Sequence, residues 1–252
     1  STLSAKQLDR IVPSSGIDLL KNIPGVYVNS SKGEVSGALY TRGLSVGDGF
    51  FYVSMQEDGL PILAQQGSST TNPNFKPDGF LRADANISRV EAVRGGTASI
   101  LGANAPGGIF NYVTKEGGSK FAGEARTRFG LEGNGKNPLY RVDLNFGGPL
   151  SKDKSITYNI GGFYRYADGP KYPGYPLSRG GQIRGNIVKT YKSGSLKLYG
   201  KYLNDRTAPF EFTPTIDFDN PRPVNGFSNT SSTMVGPVSF TVPGAAYGTN
   251  ED

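Results

Sequence analysis

The chain has 252 residues, a net charge of +6 and neither cysteine nor histidine, and this composition excludes several classes of function. Without thiols or imidazoles it has no disulfide and lacks the usual general base and the common transition-metal ligands, so the sequence predicts no enzyme, cofactor or metal site. The lysines and arginines are dispersed, which argues against a nucleic-acid partner, and no run of 18 apolar residues could form a membrane-spanning helix.

Residues 1–30 predict an edge strand, a short helix and a second strand. Ser14 and Ser15 are available as N-caps for a helix over residues 16–22, and Val26-Tyr27-Val28 alternates as a strand does. The helix is expected to bury Ile17, Leu20 and Ile23. The first twelve residues lack the apolar core of a signal peptide, so we expect that any such segment has been removed or was never present.

Residues 40–82 predict two strands, a tight turn and a long polar connection. Tyr40 to Leu44 and Phe50 to Met55 are the strands, and Asp58-Gly59 is a hairpin signal. A polar connection of about 20 residues inside a compact domain is usually functional or disordered, and both interpretations stay open. Its candidate ligand-binding residues are Gln65, Gln66, Asn72 and Asn74.

Residues 87–118 predict a strand, a small helix and a second strand joined by glycine-rich breaks. The strands are Arg89 to Arg94 and Ile109 to Thr114, and the helical turn is Thr97 to Leu101. No Lys-Ser or Lys-Thr follows the glycines at Walker spacing, and no G-x-G-x-x-G opens a long helix. The glycines therefore indicate tight backbone turns rather than a phosphate site.

Four motifs in this order resemble the plug domain of TonB-dependent outer-membrane receptors. They are L-L-K-N-I-P-G-V-Y-V from Leu19, the Arg42-Gly43 strand end, E-D-G-L-P from Glu57, and R-V-E-A-V-R-G from Arg89 followed by I-F-N-Y-V-T-K from Ile109. The resemblance covers roughly residues 4–116 and implies an α+β plug domain. We place this domain at residues 1–118.

The resemblance also implies roles and partners. In that family, arginines at the two R-G positions, here Arg42 and Arg94, pair with acidic residues of the barrel wall and lock the plug in place. Ligand loading shifts the plug and exposes its N-terminal segment to a TonB-type periplasmic energy-transducing protein. The recruitment motif for that protein is not found ahead of the plug-like sequence. Outer-membrane lipid, an extracellular small molecule or oligosaccharide, and a surface lipoprotein are the other partners implied.

Beyond Gly118, five stretches alternate apolar and polar residues over about ten positions each. They span residues 121–132, 139–147, 155–167, 182–192 and 195–204, and Phe163 interrupts the polar face of the third. Short turns on one side and a longer connection on the other are typical of a transmembrane β-barrel of the bacterial outer membrane. Four tyrosines fit an aromatic girdle at the lipid interface: Tyr140, Tyr164, Tyr166 and Tyr202.

Residues 206–252 show no sustained alternation and predict a long extracellular loop. Five antiparallel strands cannot close a barrel, whereas plugged transporters have about 22 strands. We therefore expect residues 119–252 to be the first five strands and loops of a barrel that continues in a longer protein.

The sequence thus predicts a TonB-dependent receptor that imports an iron chelate, cobalamin or an oligosaccharide. The aromatic candidates for ligand contact are Tyr172, Tyr175, Phe210 and Phe212. One alternative is a plugged outer-membrane protein for secretion or adhesion, and another is a soluble β-rich module whose aromatic residues stack on sugars. Glu211, Asp217 and Asp219 offer the remaining enzymatic interpretation, but no spacing rule makes that carboxylate cluster specific.

Overall fold

The structure is a computed structural model in which an N-terminal domain packs against a sheet of five long strands. It describes residues 2–8, 10–11, 13, 15–30, 34, 37–41, 52–62, 65–66, 75–76, 79–93, 105–133, 135–170, 175–207, 241–242 and 245–246, with only the backbone of 65–66, 75–76, 241–242 and 245–246. No helix in these ranges is long and apolar enough to cross a membrane.

The N-terminal domain is built on a mixed five-stranded sheet in the order β1-β8-β9-β4-β5. Its strands are β1 (Thr2–Leu3), β4 (Val53–Glu57), β5 (Leu60–Pro61), β8 (Ile87–Val93) and β9 (Gly108–Thr114). Strand β4 runs parallel to β9, and the other pairs are antiparallel. The described residues also form three two-stranded antiparallel sheets: β2 (Val26–Asn29) with β3 (Ala38–Thr41), β6 (Gln65–Gln66) with β7 (Phe75–Lys76), and β15 (Thr241–Val242) with β16 (Ala245–Ala246).

One apolar core lies between this sheet and two short helices, α1 (Ala5–Leu8) and a 3₁₀ helix (Ile17–Asn22). The predicted core residues Ile17, Leu20 and Ile23 are all buried, which confirms that part of the sequence analysis. Ser15 supports the helix start, since its Oγ accepts a hydrogen bond of 3.3 Å from the Asp18 amide. Tyr112 crosses the core and donates to the Gly16 carbonyl, and burial raises the pKa of its hydroxyl.

The predicted Asp58-Gly59 turn is confirmed as the loop of the β4–β5 hairpin. Both residues have positive φ, 49° and 82°, as a tight two-residue hairpin loop requires. The Asp58 side chain accepts hydrogen bonds from both the amide and the hydroxyl of Thr114, which fixes the loop on the end of β9.

The five predicted long strands are all present and form one antiparallel sheet in sequence order. They are β10 (Ala122–Glu132), β11 (Asn137–Pro149), β12 (Ile156–Ala167), β13 (Ser178–Tyr191) and β14 (Gly194–Thr207). The connections at residues 150–155 and 192–193 share one end of the sheet, and those at 133–136 and 168–177 share the other. The predicted fold class, an α+β domain followed by antiparallel barrel strands, is therefore confirmed.

The two faces of the long-strand sheet have opposite polarity. The outer face exposes apolar side chains that are 38–66% accessible and include Phe129, Tyr140, Tyr164, Ile183, Leu198 and Tyr202. The inner face, which we call the wall, buries polar side chains against the N-terminal domain, among them Arg141, Asn145, Arg165, Gln182, Arg184 and Asn186. A soluble protein packs its apolar face inward, so this inverted arrangement matches strands with lipid outside and polar groups inside.

Phe163 interrupts the polar alternation for a local reason. Its ring lies 4.0 Å from the guanidinium carbon of Arg141 and 5.6 Å from that of Arg165. A buried arginine is stabilised by the face of an aromatic ring, so the phenylalanine supports the charged wall rather than facing lipid.

At Gly117 the backbone of the N-terminal domain passes very close to the backbone of the long strands. A methyl group at Gly117 would lie 2.3 Å from the Tyr158 carbonyl oxygen and 2.8 Å from that of Gly148. We expect Gly117→Ala to destabilise the whole protein by about 1–3 kcal/mol, because the backbone on both sides cannot move easily. Calorimetry in detergent measures this loss.

Gly118→Ala is the matched control for that substitution. Its added methyl group would approach no atom closer than 3.7 Å, so we expect a change within about 0.5 kcal/mol. Equal effects at the two positions would contradict the proposed contact.

Candidate functional site

The N-terminal domain meets the wall chiefly through residues 79–86, which we call the docking segment and which have turns at both ends. Its even positions Arg82, Asp84 and Asn86 contact the wall, while Leu81 and Ala83 join the apolar core. One short segment between two turns therefore supplies side chains to both the core and the wall.

Four buried charges form the first contact, which we call the upper cluster. Arg82 and Glu34 come from the N-terminal domain, and Arg165 and Asp205 come from the wall. Arg165 lies 2.5 Å from a Glu34 oxygen and 2.5 Å from an Asp205 oxygen, and Arg82 Nε lies 2.5 Å from Asp205. With two cations and two anions the cluster is electrically neutral, although every side chain is at most 8% exposed.

A second neutral group, the lower cluster, lies one step further along the docking segment. Arg184 donates to both Asp84 and Glu57, Gln182 donates to Asp84, and the Lys201 ammonium lies 2.6 Å from Glu57. Burial raises the pKa of Asp84, but the charge of Arg184 and the hydrogen bonds from Arg184, Gln182 and the Asn86 amide outweigh it and leave the pKa below its ordinary value. Asp84 is therefore held as a carboxylate.

Asparagines complete the contact below the lower cluster. Asn145 donates to Asn86 and to Asn159, and Asn186 donates to the carbonyl of Lys115 at 2.8 Å. Gly161 makes the close approach possible, because a methyl group there would lie 2.7 Å from the Asn86 side-chain oxygen. These amides are neutral, so this part of the interface depends on hydrogen bonds alone.

A more accessible set of ion pairs surrounds the base of the domain. Lys197 lies 3.2 Å from Asp58 and 3.1 Å from Glu116, and Lys115 lies 2.6 Å from Glu124. Glu116 is half exposed, and pairs of this kind contribute about 1 kcal/mol at most. The buried clusters therefore dominate the strength of attachment.

The charges of the interface have a prevailing direction. Glu34, Glu57, Asp58 and Asp84 on the N-terminal domain meet Arg165, Arg184, Lys197 and Lys201 on the wall. Among the described residues, two pairs have the opposite polarity, with the cation on the N-terminal domain and the anion on the wall: Arg82 with Asp205, and Lys115 with Glu124. Removing one partner of a buried pair leaves the other charge without compensation and costs about 3–5 kcal/mol. When the two surfaces part, water can hydrate the charges on both sides.

A small polar cavity lies between the lower cluster and the asparagines. Three buried polar atoms without a hydrogen-bond partner among the described residues belong to side chains that line it: Asn86 Nδ2, Arg184 Nε and Asn186 Oδ1. The cavity has room for a water molecule. Such a water can accept hydrogen bonds from Asn86 Nδ2 and Arg184 Nε and donate one to Asn186 Oδ1.

Comparison with known proteins identifies the N-terminal domain. Residues 1–109 match the family model described as TonB-dependent Receptor Plug Domain. This match identifies the N-terminal domain as a plug domain of the TonB-dependent receptor type. The strands β10–β14 share the fold of strands in solved siderophore receptors.

The individual relatives of the chain are distant. The ferric enterobactin receptor of Pseudomonas aeruginosa is 22% identical over 202 residues, which cover 74% of the chain and 26% of that protein. Vitamin B12 transporter BtuB of Vibrio vulnificus is 30% identical over 116 residues, which cover 45% of the chain and 17% of that protein. The chain therefore spans about a quarter or less of these relatives.

Solved structures agree on the fold. The siderophore receptor PirA from Acinetobacter baumannii superimposes with a TM-score of 0.59 over 80% of the chain and 31% of that protein, at 21% identity. The ferric enterobactin receptor PfeA gives a TM-score of 0.55 over 79% of the chain and 32% of that protein, at 18% identity.

Most residues predicted to bind ligand or lock the plug lie outside the described residues. These are Arg42, Arg94, Asn72, Asn74, Tyr172, Phe210 and Phe212, and the helical turn at residues 97–101 and the carboxylates Glu211, Asp217 and Asp219 do so as well. Gln65 and Gln66 are described only by backbone pairing with β7. Tyr175 alone is placed with its side chain, 39% exposed in the longer connection between β12 and β13. These roles, and the domain boundary after residue 118, stay predictions.

The sequence analysis missed the two buried clusters. It named none of their members as site residues: Glu34, Glu57, Arg82, Asp84, Arg165, Gln182, Arg184, Lys201 and Asp205. One signal was present in the sequence. In L-R-A-D-A-N from Leu81, small or apolar residues alternate with polar ones, a pattern that indicates one polar and one apolar side.

Proposed function

We propose that the whole protein is an outer-membrane receptor that binds an extracellular iron chelate of siderophore type and imports it with energy from a TonB-type protein. The observation that carries this proposal is the interface itself, in which a plug is held by buried ion pairs against strands whose opposite face is apolar. That combination suits a closed pore in a membrane rather than an enzyme, and the relatives compared with this chain are named as receptors or transporters.

The choice of an iron chelate over cobalamin follows from the extent of the matches. The match to the ferric enterobactin receptor extends over 74% of the chain, whereas the match to the vitamin B12 transporter covers 45%. The longer match includes more of the strands and loops that contact the cargo in this proposal, so it favours the siderophore class. Tyr175 lies on the longer-loop side and, with Tyr172, Phe210, Phe212 and the polar candidates of the 61–82 connection, would present aromatic and amide groups to the chelate.

Energy from a partner is required by the strength of the plug's attachment. A passage between the plug and β12–β14 needs the upper and lower clusters to part, which costs the difference in free energy between the paired and the hydrated charges. Ligand contacts alone would have to supply that difference selectively to the open state. A mechanical pull from a periplasmic protein on the plug supplies it without weakening ligand binding.

Uptake by cells tests this function. The whole receptor is expressed in a bacterium that lacks its own siderophore and cobalamin receptors, with and without TonB. We expect radioactive iron from ferric enterobactin to accumulate only with TonB, and labelled cobalamin not to accumulate. Accumulation of cobalamin would overturn the ligand class, and uptake without TonB would overturn energised transport.

The remaining alternatives gain no support. A soluble sugar-binding module would pack the apolar faces of β10–β14 inward, yet these faces are exposed. A plugged protein for secretion or adhesion would give no uptake in either strain, together with export or cell attachment that depends on the receptor.

A further inference from the structure

The outer face of the long-strand sheet has an apolar groove with a glycine floor. Gly185 and Gly200 are cross-strand partners on β13 and β14, and Ile160 on β12 pairs with Gly185 on the other side. The groove is walled by larger side chains, mainly Leu150, Tyr158, Ile187 and Leu198. A methyl group at Gly200 would meet no atom of the described residues within 4 Å, so none of these residues covers the floor.

Lys189 lies between the groove and the end of the sheet that carries the short turns at residues 150–155 and 192–193. Gly185, Ile187, Lys189 and Tyr191 succeed one another at every second position of β13, so their positions share the outer face. Four residues of strand place Lys189 about 13 Å from the glycine floor. Its ammonium lies 2.6 Å from Ser155 Oγ and 5.9 Å from the Tyr191 ring centre, which keeps it at the level of the turns.

The short turns add further positive charge at this level. Lys152, Lys154 and Lys192 are exposed in them. Asp153 is the one acid of these two turns, and its carboxylate accepts a hydrogen bond from the Ser155 amide. Together with Lys189, four cations face one anion. Short turns of outer-membrane barrels lie on the periplasmic side, where the leaflet consists of phospholipid.

We propose that the groove and these lysines form a binding site for an anionic phospholipid of the periplasmic leaflet. One acyl chain lies over Gly185 and Gly200, and the phosphate is bound by Lys189 and the turn lysines. The order of apolar groove, lysine and interfacial tyrosine along β13 matches the order of tail and headgroup in a lipid. A second protein barrel would cover the groove but would bring no phosphate to the lysines. The proposal rests on the outer-membrane location in the proposed function.

Native mass spectrometry of the whole receptor in detergent tests the site. The probes are phosphatidylglycerol and phosphatidylethanolamine with the same acyl chains. We expect the receptor to retain phosphatidylglycerol preferentially, and Lys189→Gln to lower that retention by about fivefold while leaving phosphatidylethanolamine unchanged. Gly200→Leu should lower retention of both lipids, because the leucine side chain occupies the place of the acyl chain.

Two control variants separate the site from general effects. Ala125→Leu adds the same side chain to the outer face on β10, and Lys120→Gln removes a cation beside the start of β10; both should retain lipid as the parent does. Heat-dependent gel migration confirms that each variant is folded. Equal retention of the two lipids, or variants that match their controls, would overturn the proposal.

Two further outcomes are decisive. A change from dimer to monomer in Gly200→Leu without lipid loss would assign the groove to a second copy and overturn the lipid site. Lipid retention by a receptor that fails the iron-uptake assay would leave this site standing and reject the transport proposal, whereas uptake without selective lipid retention would reject this site alone.

Discussion

Asp84→Ala is expected to weaken the attachment of the plug to the wall by about 3 kcal/mol. The substitution leaves Arg184 buried with only Glu57, at 3.2 Å, and removes the acceptor of the Gln182 amide and of the Asn86 backbone N–H. The cost comes mainly from the partners that remain, because a buried guanidinium and a buried amide lose their compensation together.

Hydrogen exchange in the whole receptor measures this loss. The amides of the docking segment should exchange about a hundredfold faster in Asp84→Ala if opening of the interface controls their exchange. Glu91→Ala is the matched control, because the Glu91–Arg89 pair on β8 is exposed and contributes about 1 kcal/mol at most. Similar acceleration in the two variants would show that the lower cluster does not hold the plug.

The Asp84 carboxylate also makes the stability of the interface depend on pH. Because the folded pKa of Asp84 lies below its ordinary value, its stabilising effect is present above the ordinary pKa of about 4 and is lost as the pH falls through the folded pKa. Exchange in the docking segment should therefore accelerate below about pH 4 in the parent and lose this dependence in Asp84→Asn.

The sequence predicted the long strands because lipid and a polar interior enforce a strict period of two. Each of β10–β14 was predicted, but the observed strand ends differ from the predicted ones where glycine interrupts the alternation of polar and apolar side chains. Strand β13 begins at Ser178 rather than at residue 182, because Gly180 and Gly181 lack side chains and still pair with Asp205 and Asn204 of β14. Periodicity reports side-chain polarity, whereas pairing depends on the backbone.

The buried clusters could not be predicted by the same reasoning. Asp84 contacts Gln182 across 98 positions of sequence, and Glu57 contacts Lys201 across 144. Strand patterns give the face that Arg184 and Lys201 occupy, but the charges they meet depend on the height at which the plug sits inside the wall. That height is set by the packing of the whole plug, which no local pattern contains.

The prevailing charge direction also differs from the one that the family resemblance implied. The predicted lock places arginines, Arg42 and Arg94, on the plug and acids on the barrel, and it stays a prediction. In the described part of the interface the plug mostly supplies carboxylates and the wall mostly supplies cations. The two arrangements are compatible, since different sectors of one wall can carry opposite charge.

Arg165→Leu should have the largest effect of any single substitution in the upper cluster, about 3–5 kcal/mol. Arg165 donates to Glu34 through Nη1 and to both oxygens of Asp205 through Nε and Nη2. Without it, the ion pair that Glu34 keeps among the described residues is with Arg82 at 3.9 Å, although the Glu34 side chain is 5% exposed. Calorimetry and exchange in the docking segment should both report the loss.

Two further variants, Arg165→Lys and the double substitution Arg165→Leu with Glu34→Gln, separate the effect of the Arg165 charge from that of its hydrogen-bond geometry. Lysine restores the positive charge but cannot make three directed contacts to two carboxylates, so we expect it to recover only part of the loss. Arg179→Leu, on the exposed face of β13, is the matched control and should change stability by less than about 0.5 kcal/mol. Adding Glu34→Gln to Arg165→Leu should recover stability, because it removes the carboxylate that the arginine neutralised. No recovery would mean that Arg165 acts through packing on Phe163 instead, and the upper cluster would then not be an electrostatic lock.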